Sequence, residues 1–364
     1  MAPISILIVG CGVAGPALAT FLLLSSQAPQ DLPHITILER SSSLSAKGQN
    51  VDIRGAGVTV IRKLGLEQTI KSSTTGEEGV QFVDVKNRVW GAFEADKSGK
   101  VQTGTSDIEI LRGRLAEILY HRSQDVSLDV RKQGGAGIEY VFGDYLDELH
   151  QDNDKVHVRF AKSNDSRSYD LVVGADGLLS RTRNLAFGAE REEQRLKRLG
   201  LYAGFFSMPK GQTNSSWRRW YHAPERRSIM VRPSHDKGTS TVLIGVVKDD
   251  EDQRLIDVGK MGHKGVDAQK DLLSEYFQDA GWESKRIIKE MYAADDFYYD
   301  MVAQVKMDKW SKGRVVLLAD AGYCASPISG MGTTLALVGG YNLAGALTRI
   351  QTTTTPPSPT TRRR

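Results

Sequence analysis

The chain begins with a strand, a glycine-rich turn and a helix, an arrangement that few folds accommodate. Residues 4–9 are almost entirely apolar, as in a buried parallel strand, and run directly into a G-x-G-x-x-G sequence at residues 10–15. The apolar residues 16–24 predict the following helix, and residues 34–38 predict a second strand that leads to Glu39. This order of elements predicts a doubly wound α/β unit that binds a dinucleotide.

Each glycine of this sequence has a physical role in that prediction. Gly10 permits the tight turn, Gly12 lets a diphosphate approach the backbone, and Gly15 lets the helix pack closely on the sheet. The N–H groups at the start of the helix, at Val13 and Ala14, would face the phosphates. The alternative is an ordinary glycine turn without a ligand, and the flanking strands, helix and acid favour the dinucleotide site.

Composition excludes several other classes of protein. The 364 residues are 40% hydrophobic and 25% charged, which is ordinary for a globular chain of two structural units. The 48 basic and 44 acidic residues leave a net charge of only +4, so we expect no nucleic-acid surface. The cysteines, Cys11 and Cys324, lack metal-ligand spacing, so we expect no metal and a cytoplasmic location. The N-terminal apolar run predicts neither a signal peptide nor a membrane span.

The middle of the chain predicts a second structural unit. Strand-like segments at residues 201–208, 217–222, 228–232 and 240–247 follow one another without helices, which predicts an antiparallel sheet. Residues 314–320 return to the buried parallel type, and residues 333–350 predict a helix. The expected fold is therefore α/β, with a Rossmann-like cofactor domain and an inserted antiparallel-sheet substrate domain.

The domain boundaries follow from these segments. The cofactor domain is expected at residues 1–185 and 295–350, with an excursion into the substrate domain at about 75–105. The substrate domain is expected mainly at 186–294, and residues 351–364 predict a disordered tail. The charged, glycine-containing residues 125–137 predict a surface excursion, and the charge run at 190–198 predicts a linker or helix.

Four further stretches complete a pattern together with the first motif. They are residues 48–55 (GQNVDIRG), 110–115 (ILRGRL), 174–183 (GADGLLSRTR) and 319–332 (ADAGYCASPISGMG). With these, residues 4–350 resemble the class A FAD-dependent aromatic hydroxylases, the monooxygenase family that includes para-hydroxybenzoate hydroxylase. The match is closest to the tetracycline-inactivating monooxygenase branch, although the substrate domain is matched by pattern only.

The resemblance implies FAD as the cofactor and assigns residues to it. Glu39 would bind the adenosine ribose beside Arg40, Asp52 would lie near the flavin, and Asp320 would bind ribityl or ribose hydroxyls. Ser180 and Arg183 accompany Asp176 in a motif associated with both FAD and NADPH, and Ala319 replaces the family's usual glycine. The implied cofactor-binding residues are Gly10, Gly12, Val13, Ala14, Gly15, Glu39, Arg40, Gln49, Asp52, Arg112, Asp176, Asp320, Pro327, Gly330 and Gly332.

The resemblance also implies a reaction. NADPH or NADH would reduce FAD, and O₂ would then form a C4a-hydroperoxyflavin that hydroxylates an aromatic or polyketide-like small molecule, as in secondary metabolism. No catalytic side chain is required, because the flavin carries the chemistry. The branch's NADPH-assisting arginine is replaced by Ser45, with Lys47 nearby, so the choice between NADPH and NADH stays open. The protein is expected to be a monomer or homodimer.

The substrate is expected to meet aromatic and sulfur-containing side chains of the antiparallel sheet. The candidates are Phe205, Trp220, Tyr221 and Met230, with Met208 and Trp217 in the same set. Collectively they predict an apolar pocket for an aromatic molecule. For each residue taken singly, core packing is the alternative.

Three other functions remain open at this point. A halogenase or a reductase could share the fold, although residues 217–220 (WRRW) do not supply the Trp-x-Trp-x-Ile-Pro signature of tryptophan-type halogenases. A C-terminally truncated flavoprotein with impaired activity would fit the Thr- and Pro-rich residues 351–364, where the family usually continues with helix. An NAD-dependent dehydrogenase would leave the Asp176 and Asp320 motifs unexplained.

Overall fold

The strands lie within residues 3–44, 48–96, 104–213, 215–235, 238–248 and 252–353, the part of the chain that the computed structural model describes. In chain order they are β1 (Ser5–Val9), β2 (His34–Glu39), β3 (Asn50–Asp52), β4 (Gly79–Val83), β5 (Val89–Glu94), β6 (Glu109–Leu111), β7 (Ile138–Phe142), β8 (Leu146–Gln151), β9 (Val156–Phe160), β10 (Ser166–Tyr169), β11 (Leu171–Gly174), β12 (Leu196–Pro209), β13 (Arg218–Ala223), β14 (Arg227–Pro233), β15 (Thr239–Val247), β16 (Tyr298–Val305), β17 (Ser311–Lys312) and β18 (Val315–Leu317).

The helices lie between and after these strands. In chain order they are α1 (Ala14–Leu23), α2 (Ala56–Lys63), α3 (Glu67–Lys71), α4 (Arg112–Lys132), α5 (Arg181–Phe187), α6 (Glu192–Arg195), α7 (Gln253–Lys260), α8 (Val266–Phe277), α9 (Ser284–Ala293), α10 (Asp320–Tyr323) and α11 (Gly332–Thr353). In the described parts of the chain, no helix is both long and apolar enough to cross a membrane.

A six-stranded sheet carries the N-terminal motif. Its order is β17-β18-β11-β1-β2-β7, with parallel pairing from β18 through β7. Alternate residues of β1 face opposite layers: Ile6 and Ile8 pack with α1 and α11, whereas Leu7 and Val9 pack with β8, β9 and α5. The sheet is therefore covered on both faces, which explains why β1 is apolar along almost its whole length.

A seven-stranded sheet forms the second large layer. Its order is β16-β12-β15-β14-β13-β4-β5, and every pairing is antiparallel except that of β13 with β4. Helices α8 and α9 pack on one face, over a core that includes Phe206, Ile229 and Ile244. The mixed α/β fold class is confirmed. The strands expected near residues 75–105, β4 and β5, pair at one edge of this sheet, and the exact domain boundaries stay a prediction.

Some local predictions were wrong. The surface excursion expected at 125–137 is instead the second half of α4 up to Lys132, because Val126 and Val130 are buried against the N-terminal layer while the charged residues face solvent. Helix α11 continues through Thr353, so the tail is not disordered from residue 351. Residues 354–364 lie outside the described part of the chain. Helix α7 was not predicted.

Candidate functional site

The N-terminal glycines differ in what surrounds them. Gly10 has φ +113°, and a Cβ added there would lie 2.4 Å from the carbonyl oxygen of Ala175. A Cβ on Gly15 would lie 2.1 Å from the carbonyl oxygen of Gly10, so both glycines are required by packing. Gly12 is exposed, and a Cβ there would meet no atom of the described residues within 4 Å. The fold therefore leaves open space at the one glycine that a diphosphate would approach.

The second strand brings an acid to the same turn. Glu39 accepts hydrogen bonds from the backbone N–H of Cys11 at 2.8 Å and of Ser41 at 2.9 Å. No side chain of the described residues caps the start of α1, so none of them satisfies its first N–H groups as a capping residue. Arg40 follows Glu39 and is exposed. Burial, and then the charge of Glu39, raises the pKa of the Cys11 thiol to about 12, which makes it an unreactive packing residue.

The Asp176 carboxylate is bonded within its own motif. It accepts from the Ser180 hydroxyl at 2.5 Å and from the Thr182 backbone N–H at 2.9 Å. Ser180 in turn caps α5 by accepting from the Arg183 N–H at 2.9 Å. Asp176 thus organises the start of α5. This helix start lies beside Gly10, since a Cβ built on that glycine would lie 3.2 Å from the Asp176 nitrogen.

Arg183 is completely buried and connects two of the predicted motifs. It donates to the carbonyl oxygens of Leu178 at 2.7 Å and Ala321 at 2.8 Å, and it forms an ion pair with Glu192. Ala321 follows Asp320 directly. Arg183 therefore fixes the position of the Asp320 stretch relative to α5.

The other predicted residues converge at a second place. The Arg112 N–H donates to the Gln49 carbonyl at 2.9 Å, which joins the start of α4 to the residue before β3. A Cβ built on Gly330 would lie 3.4 Å from Asp52 Oδ2, and one on Gly332 would lie 3.9 Å from Asp320 Oδ1. These contacts bring stretches from three distant parts of the chain together. Pro327 is exposed in the short turn Pro327–Ser329 that precedes Gly330.

The place where these stretches meet contains buried carboxyl groups. Burial raises the pKa of Asp320, and it raises the pKa of Asp300 to about 6, while the charge of Arg112 opposes both shifts. Tyr298, on the same strand as Asp300, donates to the Gln49 side chain, and burial raises its pKa well above the usual range. The sequence did not lead to a prediction of Tyr298 and Asp300 as site residues. The signal that could have indicated them is an aspartate within an aromatic, strand-like segment.

Asp52 retains an unsatisfied acceptor. Its Oδ2 pairs with Arg54 at 2.8 Å, whereas Oδ1 is buried and has no hydrogen-bond partner among the described residues. Native structures rarely leave such an atom unpaired. An acceptor of this kind beside Gly330 fits a cofactor that carries ring N–H groups.

The loop beside it contains unusual backbone. Ala319 has φ +57° and Ser326 has φ +88°, although both carry side chains that disfavour positive φ. The Ser326 hydroxyl accepts from the Ile328 N–H at 3.1 Å and so stabilises the turn. Ala319 is the residue that stands where glycine is usual in the resembling family, and its φ explains that preference.

The face of the seven-stranded sheet opposite α8 and α9 carries an apolar row. Its residues are directly paired from strand to strand: Tyr298, Phe205, Leu243, Met230, Trp220, Phe82 and Gly91. Phe205 stacks on Tyr298 with ring centroids 4.8 Å apart and planes 3° apart. Through Tyr298 and Gln49, this face of the sheet meets the Asp52 side of the site.

The predicted substrate residues are divided between the two faces. Phe205, Trp220 and Met230 belong to the apolar row. Tyr221 and Met208 belong instead to the core under α8 and α9, and the Tyr221 hydroxyl donates to the Ala280 carbonyl at 2.7 Å. The prediction for Tyr221 was therefore wrong, because residues that alternate along a strand face opposite sides. Ser45 and Lys47 lie outside the described residues.

Four charged residues beside the row were not predicted. Glu77 accepts from Arg218 at 2.7 Å and from Arg232 at 3.0 Å, and Glu109 pairs with the same two arginines. Burial alone would raise the pKa of Glu77, but Arg232 and Arg218 outweigh it and lower that pKa; burial raises the pKa of Glu109. Glu109 lies opposite Asp52 in the β3–β6 pair. The two glutamates and the two arginines lie far apart in the sequence, so no local pattern indicates that they pair.

A model of the FAD binding domain family matches residues 3–358. The chain belongs to this family. An FAD-dependent monooxygenase, asL6 of Sarocladium schorii, is 38% identical over 351 residues, which span 95% of this chain and 80% of that protein. A flavin-dependent monooxygenase, eupH of Phoma sp, is 33% identical over 358 residues, 95% of this chain and 78% of its own.

Solved structures agree with the family assignment. The tetracycline destructase Tet(51) has a TM-score of 0.77 and 30% identity, with 96% of this chain and 83% of that chain covered. HpxO of Klebsiella pneumoniae, solved with FAD and uric acid, has a TM-score of 0.67 at 17% identity and supports the fold alone, over 97% of this chain and 81% of its own. The expected relationship to class A flavoprotein monooxygenases is confirmed, and this member of the FAD binding domain family is an FAD-dependent oxidoreductase.

Proposed function

We propose that this flavoprotein is a monooxygenase that uses NADPH or NADH and O₂ to hydroxylate an aromatic or polyketide-like small molecule. The observation that carries the proposal is the convergence of Gln49, Asp52, Arg112 and Asp320 on one place, bordered by the apolar row. A cofactor site that shares a wall with a broad apolar surface suits oxidation of an apolar, ring-containing substrate.

The residues would hold FAD in two groups. Gly12 and the uncapped start of α1 would bind the diphosphate, and Glu39 would accept from the adenosine ribose. Asp320 would accept from ribityl hydroxyls, while Asp52 and residues 327–332 would border the ring. When bound, FAD supplies the redox chemistry by taking a hydride from the nicotinamide and activating O₂ for transfer of one oxygen atom.

The protein's own contribution is binding, orientation and exclusion of water. Helix α11 begins at Gly332, so its first N–H groups and its positive dipole end favour negative charge beside the Pro327–Gly332 turn. Arg112 adds a positive charge near the buried Asp300 and Asp320. The apolar row would keep the reacting region dry and hold the substrate against it.

The comparisons support hydroxylation over the other reactions considered. Relatives that share about a third of their residues with this chain are named as monooxygenases. No observation on the described residues favours a halogenase or a reductase. The choice of nicotinamide, the use of O₂ and the substrate are part of the proposal.

A direct experiment tests the proposal. Protein purified with excess FAD should be yellow and should oxidise NADPH or NADH faster when an aromatic substrate is present. With isotopically labelled O₂, the product should contain one labelled oxygen atom. Reduction of a substrate double bond, or halogenation when halide is supplied, would contradict the proposal.

Asp320→Ala tests the cofactor assignment separately. Loss of hydrogen bonds from a charged acceptor should weaken FAD binding by about tenfold or more, since each such bond contributes about 1.5–3 kcal/mol. The change would be measured by titrating flavin fluorescence. Asp308→Ala, at an exposed aspartate, is the matched control and should bind FAD normally. Unchanged affinity in Asp320→Ala would refute the role of this residue.

A further inference from the structure

The apolar row is longer than a single-ring substrate needs. From β16 to β4 the strand order is β16-β12-β15-β14-β13-β4, five strand spacings. At about 4.8 Å per spacing, the row extends about 24 Å across the sheet. The end at Tyr298 lies beside Gln49, and Arg218, two residues before Trp220 on β13, reaches Glu109 opposite Asp52, so only the β4 and β5 side of the row lies beyond these residues.

The other end of the row carries a cluster of stacked aromatic rings, the distal cluster, made of Phe82, Trp90, Phe93, Trp220 and His222. Phe82 stacks on Trp220 with centroids 5.5 Å apart and planes 19° apart, and Trp220 stacks on His222 at 5.1 Å and 27°. Trp90 lies 5.4 Å from Phe82. Phe93 also contacts Phe82 edge-on, with ring centroids 6.0 Å apart.

The distal cluster is open to solvent. Trp90 is 70% exposed and Phe93 is 63% exposed, while Phe82 and Trp220 are half-buried. Exposed aromatic rings grouped in this way commonly mark a binding surface. Because the cluster continues directly into the apolar row, a molecule held at the flavin end could extend onto it without leaving the sheet.

The charges around the cluster indicate what kind of group it would accept. Arg218 and Arg232 flank the row on the same face, and both are already paired with the buried Glu77 and Glu109. Burial lowers the pKa of His222, so its ring is neutral at pH 7. The surface therefore favours an uncharged, flat group that stacks on rings over a carboxylate or phosphate.

We propose that Phe82, Trp90, Trp220 and His222 form a distal subsite, at the β4 and β5 edge of the row, that binds an uncharged ring of the substrate other than the ring that is hydroxylated. The proposal rests on the proposed monooxygenase function and narrows its substrate class to elongated molecules with at least two rings. A single benzene ring would occupy only one end of the row.

Calorimetric titration of the FAD-loaded enzyme tests the subsite with two probes, resorcinol with one ring and alizarin with three fused rings. Alizarin should bind about tenfold more tightly than resorcinol, because it buries more apolar surface. Trp90→Ala and Phe82→Leu should each weaken alizarin binding about fivefold and change resorcinol binding less than about twofold. Phe82→Leu retains apolar volume in the sheet, and Trp90 is exposed, so both variants are expected to fold.

Tyr292→Ala is the matched control, since Tyr292 is an exposed aromatic residue on α9, away from the row. It should bind both probes as the unchanged enzyme does. Equal effects of Trp90→Ala on the two probes, or none on alizarin, would overturn the subsite. Conversion of a dimer to a monomer by Trp90→Ala in sedimentation would also overturn it, because a second copy would then cover the cluster. If FAD binds and NAD(P)H is oxidised but neither probe binds, the subsite fails while the flavin function stands.

Discussion

Ala319 holds the residue before Asp320 in a conformation that side chains rarely adopt. Its φ of +57° and ψ of −135° lie in a region used almost only by glycine, at a cost on the order of 1–3 kcal/mol. The N–H groups of Gly322 and Tyr323 both donate to its carbonyl at 2.9 Å, which keeps the strained residue in place. This backbone conformation of Ala319 places Asp320 at the start of α10.

Replacing Ala319 by glycine should therefore stabilise the protein by about 1 kcal/mol, after allowing for the greater freedom of glycine in the unfolded chain. Urea unfolding would measure the change. Ala321→Gly, two residues later inside α10, should destabilise by about 1 kcal/mol because no strain is relieved there. A glycine variant at 319 no more stable than the parent would contradict this account.

Asp300 should give the stability of the flavin-free protein a distinct pH dependence. Its pKa is raised to about 6 by burial, against an unfolded value of about 3.9. The raised pKa favours the folded state fully below about pH 4, and this contribution is lost as the pH rises through about 6. Asp300→Asn cannot ionise, so it should match the parent at pH 4 and exceed its stability by about 3 kcal/mol at pH 8. Urea unfolding at both pH values is the measurement, and an equal difference at the two would rule the effect out.

At the scale of elements, the turn between β1 and α1 contains one glycine that the fold requires, Gly10, and another that only cofactor binding requires, Gly12. Gly10→Ala should destabilise by several kcal/mol, because its Cβ would lie 2.4 Å from a backbone oxygen at a positive φ. Gly12→Ala should fold normally, since nothing lies within 4 Å, but bind FAD at least about tenfold more weakly. Circular dichroism and flavin titration distinguish the two. Normal FAD binding by Gly12→Ala would show that no diphosphate approaches this turn.

The elements that the sequence predicted best are those with an unambiguous local signal. Buried parallel strands such as β1 and β18 are continuous apolar runs, and the glycine turn marks the start of α1. The second half of α4 was missed because Val126 and Val130 are its few inward-facing residues among many charged ones. Tyr221 was misassigned because an aromatic residue next to Trp220 gives no indication of which sheet face is covered by helices.

At the scale of the whole molecule, Glu77, Glu109, Arg218 and Arg232 join the seven-stranded sheet to the two-stranded β3–β6 sheet. Arg218 and Arg232 lie on β13 and β14 of the seven-stranded sheet, and Glu109 lies on β6 beside the predicted flavin residues. The Asn50 side chain extends the link by donating to Glu109 at 2.7 Å and accepting from Thr241 at 2.8 Å. Contacts between residues more than a hundred positions apart could not be read from local patterns.

Glu77→Gln should destabilise the protein by about 3 kcal/mol, because it leaves two buried arginines with one carboxylate fewer. Glu275→Gln is the matched control. Its pair with Arg254 is 2.5 Å long but more than half exposed, so its loss should change the stability far less than the loss of Glu77 does. Urea unfolding compares the two. Equal losses would mean that the buried charges do not hold the sheets together.

The strand order of the six-stranded sheet also constrains how the chain can fold during synthesis. β1 can pair with β2 early, but its other neighbour is β11, with Ile6 opposite Leu171, and β11 in turn requires β18, with Val172 opposite Val315. One edge of β1 therefore stays unpaired until residues 171–174 have left the ribosome, and the sheet closes only after residues 315–317 have followed. Such long-range pairing makes folding slow and leaves an apolar strand edge exposed meanwhile. Chaperone protection of the nascent chain should therefore matter more than the stability of the finished fold for the yield of active protein.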